Sequence, residues 1–408
     1  MPSPASKRPA VRREASGIPR VPTTASPAGQ ALPAAPALLA LLAALALLVL
    51  PAPSGAGEEP VAFKFSGRTA LNIHYDTDDV RGYTDFATYI KATGVDEVNF
   101  NARDVRFGMT ATAVEGDWTY RGVFEIDFYG SNDANNLLPR LRLGYAELAG
   151  KNGFSLRTGQ DWIPVAQQNP GTLDFGILAW GGNLWWRVPQ VTVRQKSGNV
   201  EFLASLMKHR ISTQQEIDEK MPWVLGRLAY TGLQGGKGLF ALGGGFRKVT
   251  VTDTVDPAGA TVPAYEVDYS PWLACAELKL KVTDRVSLVS EWWTGQGVGR
   301  EFVRYDLDYN NVQDVEMQAW GGFGSLAFQL EPKIQLNAGY GIDDPADADV
   351  LGSTTAPFIR NQVLFGNFKY NLTKMYGMGA EIMHFVTEQR DRARLEGERF
   401  TTGFWFVF

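Results

Sequence analysis

Between residues 62 and 408 apolar and polar side chains alternate with a period of two, segment after segment. Phe63, Phe65, Leu71, Ile73 and Tyr75 share one parity, against Lys64, Ser66, Arg68, Asn72 and His74 on the other. Trp118, Tyr120, Phe124, Ile126 and Phe128 alternate in the same way with Arg121, Glu125 and Asp127. Leu141, Leu143 and Tyr145 alternate with Arg140 and Arg142. That period places the two sets on opposite faces of β-strands. Two architectures satisfy it. In a soluble sandwich the apolar face meets a core; in a membrane barrel it meets lipid and the polar face lines a lumen.

The connectors separate the two. Short ones fall at Glu115-Gly116-Asp117, 150–153, Gly198-Asn199, Thr283-Asp284, Glu331-Pro332-Lys333 and Thr373-Lys374. Long ones fall at 77–101, 130–139, 163–187, 212–222, 253–264, 300–316, 343–359 and 390–399. Short turns on one rim and long loops on the other are the habit of a transmembrane barrel. The segments predict an all-β chain: a single antiparallel barrel of about 16 strands, with short periplasmic turns and long extracellular loops. Strands are expected, among others, at 102–115, 154–162, 223–232, 265–282 and 400–408. One hairpin more or less would give 18 or 14.

Mean hydropathy is −0.15, so a polytopic helical membrane protein is excluded, whereas alternating strands hide from that average. The one long apolar run, ALLALLAALALLVL at 37–50, follows a basic stretch and precedes Ser54-Gly55-Ala56. It reads as a secretory signal over residues 1–56, cleaved after Ala56, with the barrel at 57–408. Net charge is −5, which speaks against a nucleic-acid partner. One cysteine, Cys275, and three scattered histidines, His74, His209 and His384, offer neither a disulfide nor a metal site. No cofactor is expected.

Charge marks the expected site. By parity Arg68, Arg106, Arg121, Arg140, Arg142, Arg157 and Arg194 point inward, clustered on the first seven strands, with Glu125, Asp127 and Asp161 among them. Guanidinium forks pair well with carboxylate and phosphate. The group reads either as a ladder guiding anions or as ion pairs that stiffen the wall. Segment 163–187 is too long for a turn and too apolar for a solvated loop. It is expected to fold into the lumen as a constriction, with Asp174 and Arg187 its charged contributors, or else to serve a subunit interface. Trp118, Trp292 and Trp293 are assigned to aromatic belts at the headgroup level. The acidic stretches Asp343, Asp344, Asp347, Asp349 and Asp306, Asp308, Asp314, Glu316 read as solvated runs, or as sites bridging lipopolysaccharide through divalent cations.

The chain ends TTGFWFVF. Gly403, Phe406 and Phe408 fit an outer-membrane assembly signal read by the barrel-assembly machinery, and Phe404, Phe406 and Phe408 share one face of a closing strand.

The stretches RLRLGYAEL (140–148), RTGQDW (157–162) and PGTLDFG (170–176), with the opening FKFSGRTALNIHYD (63–76), resemble the DcaP-like trimeric porins. The resemblance implies a 16-stranded barrel in the cell outer membrane, a homotrimer, and negatively charged solutes including dicarboxylates. That family often carries a coiled-coil segment after its signal; here about five residues separate Ala56 from the first strand, so that feature does not carry over. Two rivals stand beside a porin. One is a sealed structural or adhesin barrel. The other is an outer-membrane enzyme, for which neither His209 nor His384 has an evident serine partner.

Overall fold

The structure, a computed structural model, describes residues 60–78, 80, 90, 94–131, 137–210, 216–218, 221–255, 261–303, 308–310, 313, 315–350, 358–390 and 394–408. The expected signal segment, Asp306 and Asp314 lie outside the described residues.

Sixteen strands form the wall: β1 (Ala62–Asp76), β2 in two pieces (Glu97–Asn101 and Arg106–Glu115), β3 (Trp118–Asp127), β4 (Arg140–Gly150), β5 (Phe154–Trp162), β6 (Arg187–Ser197), β7 (Val200–Met207) and β8 (Trp223–Leu233). There follow β9 (Gly238–Phe246), β10 (Trp272–Lys281), β11 (Val286–Gln296), β12 (Gln318–Glu331), β13 (Ile334–Pro345), β14 (Phe358–Asn371), β15 (Tyr376–Gln389) and β16 (Leu395–Val407). Each pairs antiparallel with its sequence neighbours, and β16 closes on β1 from Arg68↔Val407 to Asp76↔Arg399. Closure leaves no unpaired edge, which a strand in hydrocarbon cannot tolerate.

Short turns and the C-terminus gather at one rim, long connections at the other. The expected strand 265–282 is broken at Ser270-Pro271. Beyond that break β9 and β10 continue as a hairpin, Val249–Val255 with Thr261–Tyr269, joined by Glu216–Asp218. The expected 102–115 strand starts earlier and is interrupted at residues 102–105, which bring Arg103 and Asp104 inward.

The polarity of the wall is inverted relative to a soluble barrel. Phe63, Phe65, Phe107, Phe124, Phe202, Leu228, Leu242, Leu364 and Ile382 stand exposed around the outside. Asn72, Asp127, Glu147, Arg227, Glu277, Asn337, Glu381 and Arg399 are buried inside. A continuous apolar belt of that extent does not occur on a soluble monomer; it fits a bilayer core.

Two parity expectations are corrected. The β3–β4 register slips by one residue between Glu125 and Ile126, a bulge at Arg142. A bulge inserts one residue and so flips the face of everything beyond it. Tyr145, expected outward with Leu141, therefore lies inside beneath the Arg157 guanidinium, 4.3 Å from its ring centre. Gln160 on β5 donates to the bulge carbonyls of Leu141 (2.8 Å) and Arg142 (3.2 Å). Of the expected belt tryptophans, Trp292 is outside, stacked with Trp320, and Trp118 sits against Phe154 at the turn rim. Trp293 instead points inward and is buried.

Candidate functional site

Strand register arranges the inward charges in rows. In the upper row Arg68 on β1 stands opposite Arg106 on β2, and Asp127 on β3 opposite Arg140 on β4. Asp104 lies 3.1 Å from both Arg68 and Arg106. Asp127 lies 2.8 Å from both Arg140 and Arg142, and Arg142 also holds Glu125. In the lower row Glu147 pairs with Arg121 at 3.2 Å and Arg157 at 2.9 Å, and Arg157 also holds Asp161. Further round the wall Arg194 reaches Glu201, which Arg227 links to Glu277. The two readings of the arginines are thus not exclusive: every one of these pairs bridges neighbouring wall residues.

Exposure distinguishes the partners. The side chains of Arg68, Arg106, Arg121 and Arg140 are 28%, 30%, 42% and 28% exposed, while Asp104, Asp127 and Glu147 are 2%, 0% and 7% exposed. Asp104, Asp127 and Glu147 each serve two arginines. At these four arginines the wall keeps the carboxylate behind and turns the guanidinium edge to the open lumen. Arg142 and Arg227 are reversed, at 3% and 1%, with Glu125 and Glu201 the more exposed partners.

The loop between β5 and β6, residues 163–186, folds inside the barrel. Its backbone is held by the opposite wall. Glu381 on β15 accepts from the amides of Leu173 (2.7 Å) and Asp174 (2.8 Å). Asn367 on β14 donates to the Gly171 carbonyl at 2.9 Å, and Lys369 to that of Thr172 at 3.1 Å. Trp293 on β11 donates its indole proton to the Gly182 carbonyl at 2.8 Å, and Glu291 accepts from Leu184 at 3.2 Å. At Gly181-Gly182 the loop lies backbone against backbone on Gly322 and Gly341. Gly182 has φ +89°, and a Cβ there would collide with the Gly322 peptide, so only glycine fits. Ala166, Ile177 and Leu178 also adopt positive φ without being glycine, backbone strain that the surrounding contacts hold in place.

Asp174 and Arg187 land differently from one another. Asp174 is 2% exposed and faces the wall, not the lumen: it accepts from Arg399 on β16 at 3.1 Å and from the Gly176 amide. Arg399 in turn is doubly bonded to Asp76 at 2.7 Å, a buried triad tying the loop to the barrel seam. Arg187 opens β6 with its guanidinium over Trp162 (4.7 Å) and Trp185 (5.4 Å).

Much of the remaining interior is packed. Ile163, Val165 and Leu184 of the loop join Met207, Trp223, Leu225, Leu273, Cys275 and Trp293 of the wall, capped by Val298, Phe302 and Val303 from the outer rim. On the other side Leu178 meets Phe323, Val363, Phe365 and Phe385, with Val80 and Ile90 from the first long loop. Open space is left beside β5–β7, where a recess of about 320 Å³ is lined by Arg157, Asp161, Gln190, Thr192 and Arg194 under the loop. Cys275 is a packing residue here, and His74, hydrogen-bonded to Thr401 at 2.9 Å, is 1% exposed, off the lumen surface.

The outer-rim segment 297–303 is seated by Glu301, which meets Arg247 at 3.0 Å and accepts from the Arg210 amide at 2.8 Å. Burial pushes its carboxyl up to about 7 against the pull of Arg247, with Asp308 adding to the rise. A carboxyl raised above its unfolded value near 4.5 binds its proton more tightly when seated. The seat is therefore firmest below pH ~4.5 and loosens as pH rises towards 7, levelling off above it. Limited proteolysis at 297–303 is expected to speed up between pH 5 and 7, with the pH dependence weakened in Glu301→Gln, the remainder belonging to the buried Asp308; equal cleavage rates across that window would contradict this.

The other acidic residues are engaged locally. Asp344 pairs with Arg360 at 3.2 Å, Asp349 accepts from the Gln318 amide, and Asp308 accepts from the Arg300 backbone amide at 2.6 Å. Among the described residues no acidic group is arranged to hold a metal ion. At the C-terminus Gly403 faces inward against Asn72, while Phe406 (37%) and Phe408 (53%) are exposed at the turn rim.

A closed sixteen-strand barrel with an apolar exterior, a charged lumen and an inward loop is a transmembrane barrel of the outer-membrane kind. Its fold is that of the porins and resembles DcaP. The outer membrane channel DcaP of Acinetobacter baumannii superimposes with a TM-score of 0.70 at 19% identity, covering 88% of this chain and all of that one. OmpT of Vibrio cholerae in its trimer form gives 0.55 at 12% identity over 85% of this chain and 99% of its own. OprB of Pseudomonas putida gives 0.54 at 10% over 85% and 94%. No family model matches the sequence, and no curated protein matches it.

What the sequence did not reveal is the support around the arginines. Asp104 hides in the break of β2, Glu147 has its parity reversed by the bulge, and Tyr129 and Phe175 look like ordinary apolar residues. An Arg-Asp pair inside an expected strand, as at Arg103-Asp104, was the one available signal.

Proposed function

We propose that the protein is a non-enzymic porin that lets small hydrophilic solutes diffuse passively across the outer membrane and prefers anions, dicarboxylate-like ones among them. The observation that carries this is the sidedness of the ion pairs: guanidinium groups reach the lumen and their carboxylates lie behind. Fixed positive charge along a pore raises the local concentration of anions. The DcaP channel with the same fold supports the reading of a channel.

The same reading includes a homotrimer. On the outside of β2–β5, Ala111, Ala113, Gly122, Ala146 and Thr158 line a shallow depression of about 470 Å³, where other strands carry large aromatic and aliphatic side chains. Small residues let a second barrel approach closely. Lipopolysaccharide at the outer rim and the barrel-assembly machinery, reading Gly403, Phe406 and Phe408, complete the proposed partners.

Single-channel recording of the refolded protein in a planar bilayer under a salt gradient is the test. Stepwise conductance in groups of three, with a reversal potential on the anion side, is the expected result. A cation-side potential would keep the channel and discard the anion preference. The sealed barrel draws on the two packed interior clusters; folded protein without any conductance would select it.

A further inference from the structure

Among the charges of the upper row stands an aromatic pair that no ion pair requires. Tyr129, just beyond β3, and Phe175, in the inward loop, stack with ring centres 4.3 Å apart and 21° between planes. They form a small buried cluster of their own. Four guanidinium groups surround them. Arg103 and Arg140 lie 4.6 and 5.6 Å from the centre of Tyr129, and Arg106 and Arg142 lie 5.4 and 5.6 Å from that of Phe175. The pair is itself fixed from two sides. Asn101 donates to the Tyr129 hydroxyl at 2.7 Å, and the residue before Phe175 is bonded to Glu381 and Arg399.

We infer that Phe175 and Tyr129 are positioning residues for ion selectivity: their stacked rings hold the upper-row arginines in place without cancelling their charge. The inference rests on the anion-porin reading and deepens it.

The physical reason lies in what each kind of partner does to a guanidinium. A carboxylate orients it and neutralises it. A ring face also attracts it, through the quadrupole, but leaves the full positive charge to be felt in the lumen. Arg106 and Arg68 have one carboxylate, Asp104, between them; Arg140 and Arg142 share Asp127, and Arg142 also holds Glu125, so these four guanidinium groups face three carboxylates. Mutual repulsion would splay such a group towards solvent. Rings packed among them hold the surplus charge at a fixed depth. The arrangement also gives the inward loop a second task. Phe175 carries the loop's position to the arginines, so a loop that shifts would alter selectivity as well as bore.

The test is Phe175→Leu, which keeps an apolar side chain of similar bulk and removes the ring, beside Phe175→Tyr, which keeps the ring. Both are compared with the unaltered protein for reversal potential and single-channel conductance. The expected result for Phe175→Leu is a fall of about twofold or more in the anion-to-cation permeability ratio with conductance changed less than that, and near-native selectivity for Phe175→Tyr. A purely structural role would move conductance and leave the ratio alone. If Phe175→Leu fails to refold, Tyr129→Leu takes out the other ring and carries the same expectation. An anion-preferring protein whose ratio is unchanged in the folded leucine variant overturns the inference alone. A protein without anion preference from the outset overturns the anion preference on which the inference rests, and leaves the channel standing.

Discussion

Replacing Arg106, Arg121 and Arg140 together by glutamine is expected to abolish the anion preference and leave a weak cation preference. These three are at least 28% exposed, and their partners Asp104, Glu147 and Asp127 are buried beneath them. Glutamine can still hydrogen-bond the carboxylates, so the wall should close normally. A unit charge about 5 Å from a passing ion in water is worth ~0.8 kcal/mol before screening. Three of them, reduced by salt, predict a change of about tenfold in the permeability ratio, larger at low ionic strength. Arg142 is left in place. It is 3% exposed between Glu125 and Asp127, and removing it along with Arg140 would strand the buried Asp127, a loss of about 3–5 kcal/mol that would confuse selectivity with folding. Reversal potentials of the folded triple variant across a salt gradient decide it. A ratio equal to that of the unaltered protein would reduce the arginines to wall stiffeners.

The second large effect is expected from Glu381→Ala. This carboxylate accepts from two loop amides, Leu173 and Asp174, and from Asn367 at 2.7 Å. Its removal leaves two buried loop amides without this acceptor, each costing about 1–3 kcal/mol, and reduces Asn367 to its bond with Gly171. The wall survives, because β15 keeps its backbone pairing with β14 and β16 from end to end. The loop has less to lose by detaching over 171–176, where the lost bonds were. Conductance should rise by roughly half or more and ion preference fall, since Phe175 leaves the arginines with the loop. Unchanged conductance with a lowered melting temperature would mean that Asp174–Arg399 and the glycine contacts hold the loop unaided.

Both experiments probe features of different legibility. The strand count, the sidedness of turns and loops, and the inward direction of Arg68, Arg106, Arg121 and Arg157 were readable because each depends on a neighbour two residues away. For 163–186 composition showed only that the segment, with three tryptophans and few charges, has no stable place in water; its bonds to the far wall come from the structure. That Asp174 faces the wall was not legible. Its partner Arg399 is 225 positions away, and nothing near either residue announces the pair. Trp293 was misjudged because two adjacent tryptophans cannot both face lipid, and the pattern does not say which turns in.

Alternation and connector length are local properties, and they were enough for a barrel of about sixteen strands with an apolar exterior and a polar, arginine-bearing interior; closure between β1 and β16 decided the count. Which charges remain exposed is not local. It depends on the one-residue slip at Arg142, on Asp104 and Glu147 standing behind the guanidinium groups, and on a loop crossing the lumen to the far wall. Those contacts join residues tens to hundreds of positions apart, and they exist only once the sheet has closed on itself. Closure converts a parity pattern into a surface with a sign.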